Sequence, residues 1–341
     1  MKAGITTSRQ DRMANRLALW AARRQPPASG FVAPPEPRSI GLYARGKQLV
    51  SGSLHLGGAL VEAPGASLWQ IAAPDPGFAA EAQGFAWLDD LAALATPQAR
   101  ALAQAWTQDW IARFGAGRGP GWTPALTGRR VIRWIHHAIF LLQGQDSAAQ
   151  GAYFAALSRQ AAFLSRRAGA APQGLPRFEA LIGLLQASLS LAGMERHVAP
   201  TAQALAQACA AAIDAQGGIP SRNPEELLDS LTLLTWAARA LAEADRPIPP
   251  ALAEAIDRIA PTLRVLRHAD GGLARFHGGG RGIEGRLDSA LAASAALRPV
   301  GHVTQAMGFL RLSGGRSSVI LDAADPPGGA ARATAHASTA A

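Results

Sequence analysis

The 341-residue sequence contains one cysteine, two tyrosines and two lysines. A single thiol, Cys209, excludes an intrachain disulfide framework and any multi-cysteine metal site. In its Ala-rich surroundings it reads as a small core residue. With only Lys2 and Lys47 as lysines, the excess of 33 basic over 24 acidic residues is carried almost wholly by arginine. These arginines are scattered, not gathered into the stripes that follow a phosphate backbone, so no nucleic-acid partner is expected. No apolar run approaches the ~20 residues of a membrane span, and no transmembrane segment is expected. The first 25 residues carry charges throughout and lack the apolar centre of a secretory signal, which makes the cytoplasm the expected compartment. Walker, Gly-x-Ser-x-Gly and His-Glu-x-x-His motifs are missing too. Gly278–Gly282 is glycine-rich but does not lead from a strand into a helix. The neighbours His136 and His137 splay by about 100° on a helix and cannot share a metal unaided. No cofactor and no metal are therefore expected.

What is present is a globular composition, 48% apolar and 17% charged. Met13, Leu17 and Trp20 fall at i, i+4, i+7 and predict a short amphipathic helix with a basic face, followed by a Pro-rich linker to Pro37. Residues 39–70 read as short strands or extended chain, with alternation over Gln48–Leu56. From Phe78 onward helical patterns follow one another, at 78–95, 97–114, 127–143, 148–168, 177–193, 198–216, 224–245 and 249–267. Pro97, Pro200, Pro224 and Pro250 sit near helix starts, and Thr96, Thr127 and Asn223 are candidate N-caps.

Three connections resemble one another: Gly174-Leu175-Pro176-Arg177, Gly218-Ile219-Pro220-Ser221-Arg222 and Gly272-Leu273-Ala274-Arg275. Their glycines are 44 and 54 residues apart, roughly one helical hairpin each. Equivalent connections in a stack lie at one end, so Arg177, Arg222 and Arg275 are expected on one rim. Three unrelated turns with exposed arginines are the alternative. Seven of the sixteen residues from Asp270 to Gly285 are glycine, which suits a loop over a cleft. Gln305–Leu312 and Ser317–Ala323 then alternate like two strands of a hairpin. Two strands bury no face alone, so an exposed, unpaired edge is expected there.

Arg130, Arg133, Trp134 and His137 stand at i, i+3, i+4, i+7. Guanidinium groups beside an indole suit an acidic sugar, with carboxylate on arginine and sugar face on tryptophan. An interior helix whose arginines pair with Asp109 or a similar acid fits the same spacing.

Trp106-Thr107-Gln108-Asp109-Trp110-Ile111, Gly121-Trp122-Thr123-Pro124 and Thr127-Gly128-Arg129-Arg130-Val131-Ile132-Arg133-Trp134 together resemble bacterial heparinase II/III family proteins. So do Pro176-Arg177-Phe178-Glu179-Ala180-Leu181, Gly217–Pro224, and the ending from Gly308 to Asp322. The resemblance spans about residues 60–340. It implies a mainly α fold, an incomplete α/α toroid of helical hairpins with a short β segment like the start of a C-terminal β-sandwich. The expected division is 1–37 (helix and linker), 38–77 (extended segment), 78–300 (toroid) and 301–341 (incomplete sandwich). The resemblance also implies an anionic, uronate-containing polysaccharide as partner, cleaved by β-elimination, and allows a place in the cell envelope. Elimination needs a carboxylate neutraliser, a base and an acid. Where the family's lyases carry Asn-His and Tyr, this chain has Gly174-Leu175 and Glu225-Glu226. The catalytic candidates are therefore His277 as base, Asn223 as carboxylate-polarising amide (or simply a helix cap) and His336 in the sandwich. Substrate-binding candidates are Arg130, Arg133, Trp134, His137, Arg177, Arg222 and Arg275. The alternative function is a non-catalytic anionic-glycan-binding or scaffold protein.

Overall fold

Short polar side chains followed by proline open many of the helices. Thr96, Thr123 and Asn223 each accept a hydrogen bond from an amide in the first helical turn and precede Pro97, Pro124 and Pro224. These caps satisfy amides that have no partner inside the helix. Thr96 and Asn223 cap as expected. Thr127 does not, because its helix begins earlier, at Pro124, and Thr127 is buried inside it.

The computed structural model describes residues 8–280, 282–294, 305–314 and 317–328, in two compact units. The first comprises residues 8–172 and 179–201. It holds α1 (Arg9–Ala22), α2 (Tyr43–Ser51), β1 (Ser53–Leu56), β2 (Ala59–Glu62), α3 (Pro76–Gln83), α4 (Ala86–Leu94), α5 (Pro97–Phe114), α6 (Pro124–His136), α7 (Ala138–Leu142) and α8 (Ser147–Arg167). The second comprises residues 173–178 and the described residues from 202 on. It holds α11 (Pro224–Glu243), α12 (Pro250–Val265), α13 (Arg286–Ala293) and the strands β3 (Gln305–Ala306), β4 (Phe309–Gly314) and β5 (Ser317–Asp322). Between these, α9 (Leu175–Ser190) and α10 (Val198–Ala212) contribute residues to both units. The fold is mainly α, as expected.

The core of the first unit is aromatic. Phe85 and Trp87 lie 4.7 Å apart, Trp110 and Trp134 5.5 Å, and Trp134 stacks on Tyr153 at 5.1 Å. Rings at such distances add to the apolar area they remove from water. Phe85 adopts φ 60° and splits the expected helix 78–95 into α3 and α4. His137 similarly separates α6 from α7.

Two local expectations are corrected. Gln48–Leu56 is not one strand: Gln48–Ser51 ends α2, Gly52 at φ 91° stops it, and only Ser53–Leu56 pairs, antiparallel with β2. Helix α1 also turns the other way. Met13, Leu17 and Trp20 are 60%, 62% and 54% exposed, and Asn15, Ala18, Leu19 and Ala22 are the buried face. Small residues let α1 approach α8 closely, and Arg167 of α8 fixes the orientation through Asn15 Oδ1 (2.7 Å) and Asp11 Oδ1 (3.0 Å).

In the second unit, β3, β4 and β5 form one antiparallel sheet in that order. The expected bare hairpin is thus joined by a short third strand, and its inward face is covered. Phe309 and Ile320 have no exposure, and Phe309 stacks on Phe276 at 4.7 Å. Arg311 donates to the carbonyl of Val265, a terminal acceptor of α12. Leu312 and Val319 remain outward.

Candidate functional site

The three related connections belong to the second unit and lie side by side. Gly174, at φ 84°, enters α9, and a Cβ placed there would be 4.0 Å from Glu226 Oε1 in the first turn of α11. Asn223 Nδ2 donates to the His277 carbonyl (3.2 Å), and Gly280 N–H donates to Glu225 Oε2 (2.7 Å). Gly174 and the loop at His277–Gly280 thus both adjoin the first turn of α11, while the three arginines diverge. Arg177 is half-buried and Arg275 is exposed. Arg222 is turned inward at 9% exposure, with φ 51°.

Arg222 donates to the carbonyls of Met307 (3.1 Å), Gly308 (3.2 Å), Ala324 (3.3 Å) and Asp325 (2.6 Å) and to the Asp322 carboxylate. Its guanidinium lies 4.8 Å from the Phe309 ring centre. The other Asp322 oxygen is 3.0 Å from His277 Nε2, and His277 is only 2% exposed. His277 and Met307, like Arg222, have φ 51°. A non-glycine residue in the left-handed region costs on the order of 1 kcal/mol, so this site holds three strained backbones together by charge-assisted bonds. Asn223 Oδ1 accepts from Glu225 N–H (2.9 Å) and Glu226 N–H (3.2 Å), which is the cap role. His336 lies outside the described residues.

Beside this cluster the glycine-rich loop borders a cleft of about 370 Å³ lined by Arg267, Arg275, Glu225, Asp270 and Glu284 among others. Arg267 is paired with Asp288 at 2.8 Å. Glu225 and Asp270 accept backbone amides from Gly280 and Gly272. Arg275 is exposed on this cleft.

The other candidates belong to the first unit and divide into two pairs along α6. Arg130 and Trp134 enter the aromatic core without exposure. Arg130 donates to Gln160 Oε1 (2.6 Å) and to the carbonyls of Gln83 (2.8 Å) and Gly121 (3.3 Å), with Trp110 at 4.1 Å. Burial holds its pKa down, to about 9. Arg133 and His137 both meet Asp89 instead, each at 2.9 Å. Ser39 Oγ is 2.9 Å from the same His137 nitrogen, Nε2. A serine–histidine–aspartate relay uses both ring nitrogens, so this trio is a structural knot and not a nucleophile. Burial pushes the pKa of neighbouring His136 down to about 3, which keeps it neutral.

The acid in this network, Asp89, was missed from sequence, where Asp109 stood as the example. Asp109 pairs with Arg113 and accepts from Ser67. The signal for Asp89 was there in two adjacent acids within Trp87-Leu88-Asp89-Asp90-Leu91. These neighbours respond oppositely to the fold. Burial alone would raise Asp89, but the Arg133 charge, with His137 and Ser39, outweighs it and holds the carboxyl well below its usual range. Burial pushes Asp90 up to about 6, against the Leu42 amide it accepts at 2.7 Å. Asp90 is therefore penalised when ionised, fully above about pH 6 and progressively less toward pH 4. Asp89 contributes stability above its ordinary pKa that is lost on acidification. Asp90→Asn should stabilise the protein by about 1–3 kcal/mol at pH 7.5 and by almost nothing near pH 4. Asp89→Asn should destabilise it by roughly 3 kcal/mol at pH 7.5. Urea unfolding at the two pH values checks both; equal effects of the two substitutions would refute this electrostatic reading.

Among the described residues no group of His, Cys, Asp and Glu side chains is arranged to hold a metal ion, and no helix is long and apolar enough to cross a membrane. No family model matches the chain. It is 32% identical over 297 residues to FtsZ-localized protein C of Caulobacter vibrioides (strain NA1000 / CB15N), a match covering 87% of this chain and 51% of that protein. The chain thus spans about half the length of this curated relative. Similar solved structures are heparinase III (TM-score 0.63, 10% identity) and the heparan sulfate lyase HepC of Pedobacter heparinus (TM-score 0.55, 12% identity). These matches cover 92% of this chain and 57% and 56% of those chains. At such identities the likeness is one of fold: the helical array of this chain is that of the heparinase III structures, an α/α toroid class with a small β segment.

Proposed function

We propose that this protein is a non-catalytic, glycan-binding member of the polysaccharide-lyase fold that localises with FtsZ, as the name of its relative says of that protein. The observation that carries this reading is the state of two catalytic candidates, Asn223 and His277, and one substrate-binding candidate, Arg222, in the second unit. Asn223 caps α11, Arg222 holds four carbonyls and a carboxylate, and His277 is buried against Asp322. A base must reach the substrate proton, and this imidazole has 2% exposure. Arg275, exposed on the cleft, binds the carboxylate of an anionic glycan in this reading, while cleft carboxylates accept sugar hydroxyls.

Three measurements test the proposal. Incubation with polyuronates or heparan sulfate should give no ultraviolet-absorbing unsaturated uronate; its steady appearance would restore the lyase reading. Binding of an oligouronate should weaken about tenfold in Arg275→Ala, as expected for loss of one charge-assisted contact. Arg9→Ala changes net charge equally and should leave binding unaltered. Equal weakening by both would show diffuse attraction instead of a site. A fluorescent fusion should also gather with FtsZ, and an even distribution would remove the localisation part.

A further inference from the structure

One cleft of the first unit has no part in the reading above. It measures about 650 Å³ and lies between the Pro-rich linker, α8 and the turn after α9. An antiparallel bridge between Phe31 and Leu191 and the bond from Ala28 N–H to Ser158 Oγ (2.8 Å) fix the linker there. Its lining includes Arg166, Arg196 and His197 and no acidic side chain.

Among the described residues neither Arg166 nor Arg196 forms an ion pair with a carboxylate. Arg166 donates to the Ala162 carbonyl (2.8 Å) and to Ser165 Oγ (3.5 Å). Arg196 donates to His197 Nε2 (3.3 Å), which puts the ring proton of neutral His197 on Nδ1. Glu195, the acid of this turn, directs Oε1 to the Gly193 amide at 3.1 Å. Partial burial and then the Arg196 and Arg166 charges push the His197 pKa down. Ser158, 7% exposed, accepts from Ala28 and keeps its own hydroxyl hydrogen for an acceptor in the cleft. Pro26, Pro27 and Met194 supply apolar wall.

We propose that this cleft binds a phosphate monoester, with the dianion held by Arg166 and Arg196 and the organic part against the proline wall. A phosphate ester is close to a dianion at neutral pH and offers three acceptor oxygens, which suits two unpaired forks. A monocarboxylate would leave one guanidinium without a counter-charge. The volume exceeds what a bare phosphate fills, leaving room for the ester group.

The test uses the full chain with labelled histidine, His197 being assigned through the resonance lost in His197→Gln. Phenyl phosphate at matched ionic strength should raise the His197 pKa, with about a tenfold gain in proton affinity, because a bound dianion offsets the two arginines. The monoanion phenyl sulfate should raise it much less. Inorganic phosphate should act at higher concentration than phenyl phosphate. Arg196→Gln and Arg166→Gln, both at exposed positions, should each raise the pKa without ligand and abolish most of the response. An unmoved His197 resonance overturns the site. A response retained in both arginine variants does the same. Equal potency of phenyl sulfate overturns the dianion, and equal potency of inorganic phosphate overturns the ester.

Discussion

Arg130→Ala should destabilise the first unit by about 3 kcal/mol or more, the scale of losing a buried charged group with its hydrogen bonds and packing. Arg130 has no exposure, and its acceptors are one side-chain amide oxygen, a hydroxyl and two carbonyls, with indole faces at 4.1 and 5.5 Å. Removing it leaves the Gln83 and Gly121 carbonyls without this donor in the core and a cavity between Trp110 and Trp122. Arg130→Lys should be nearly as damaging, because a single ammonium cannot span acceptors set for a planar fork. Arg130→Met should recover part of the loss by refilling volume without the cost of desolvating a charge. Urea unfolding followed by tryptophan fluorescence reads all three. An Arg130→Ala protein of unchanged stability would show that the guanidinium is not a structural centre.

Arg222→Ala should release the β3–β5 sheet from the second unit. One side chain there holds four carbonyls and Asp322, and through Asp322 it also positions His277. Its loss leaves a buried carboxylate facing His277 and the Ala324 amide without its guanidinium, a change of roughly 3–5 kcal/mol for a broken buried pair. Amide exchange in Phe309–Asp322 should quicken by two orders of magnitude or more, with protection in α5 and α6 unchanged. Arg222→Lys should not rescue it. Arg275→Ala, on the exposed side of the same loop system, should leave exchange unaltered. If Arg222→Ala instead keeps full protection and only weakens glycan binding, Arg222 is a ligand contact and the clamp is absent.

The two arginines came from one sequence pattern and ended in different roles. Sequence spacing alone put Arg177, Arg222 and Arg275 in equivalent connections. It could not say that Arg222, at φ 51°, turns inward while Arg275 stays exposed, since the orientation depends on carbonyls contributed some 85 to 103 residues later. The same holds along α6. The i, i+4 spacing joined Arg130 with Trp134 and Arg133 with His137, but the partners, Gln160 and Asp89, are 30 and 44 residues away in sequence.

What the sequence determined by itself is local. Caps at Thr96 and Asn223, prolines at helix starts and runs of helical periodicity decided the mainly α fold, because each acts within a turn or two of chain. The order of motifs also carried the likeness to heparinase structures. Which face of an amphipathic helix is buried was left to tertiary structure. Helix α1 shows this, with Met13, Leu17 and Trp20 outside and Ala18 and Ala22 inside. Close packing favours the small face when a partner helix and an Arg167 tether are at hand, and periodicity contains neither. Tertiary structure alone also decided that His277 is buried against Asp322, that Asn223 caps α11 and that a cleft lined without acidic side chains lies between the linker and α8. Burial and charge balance are sums over distant residues, and no local pattern records them.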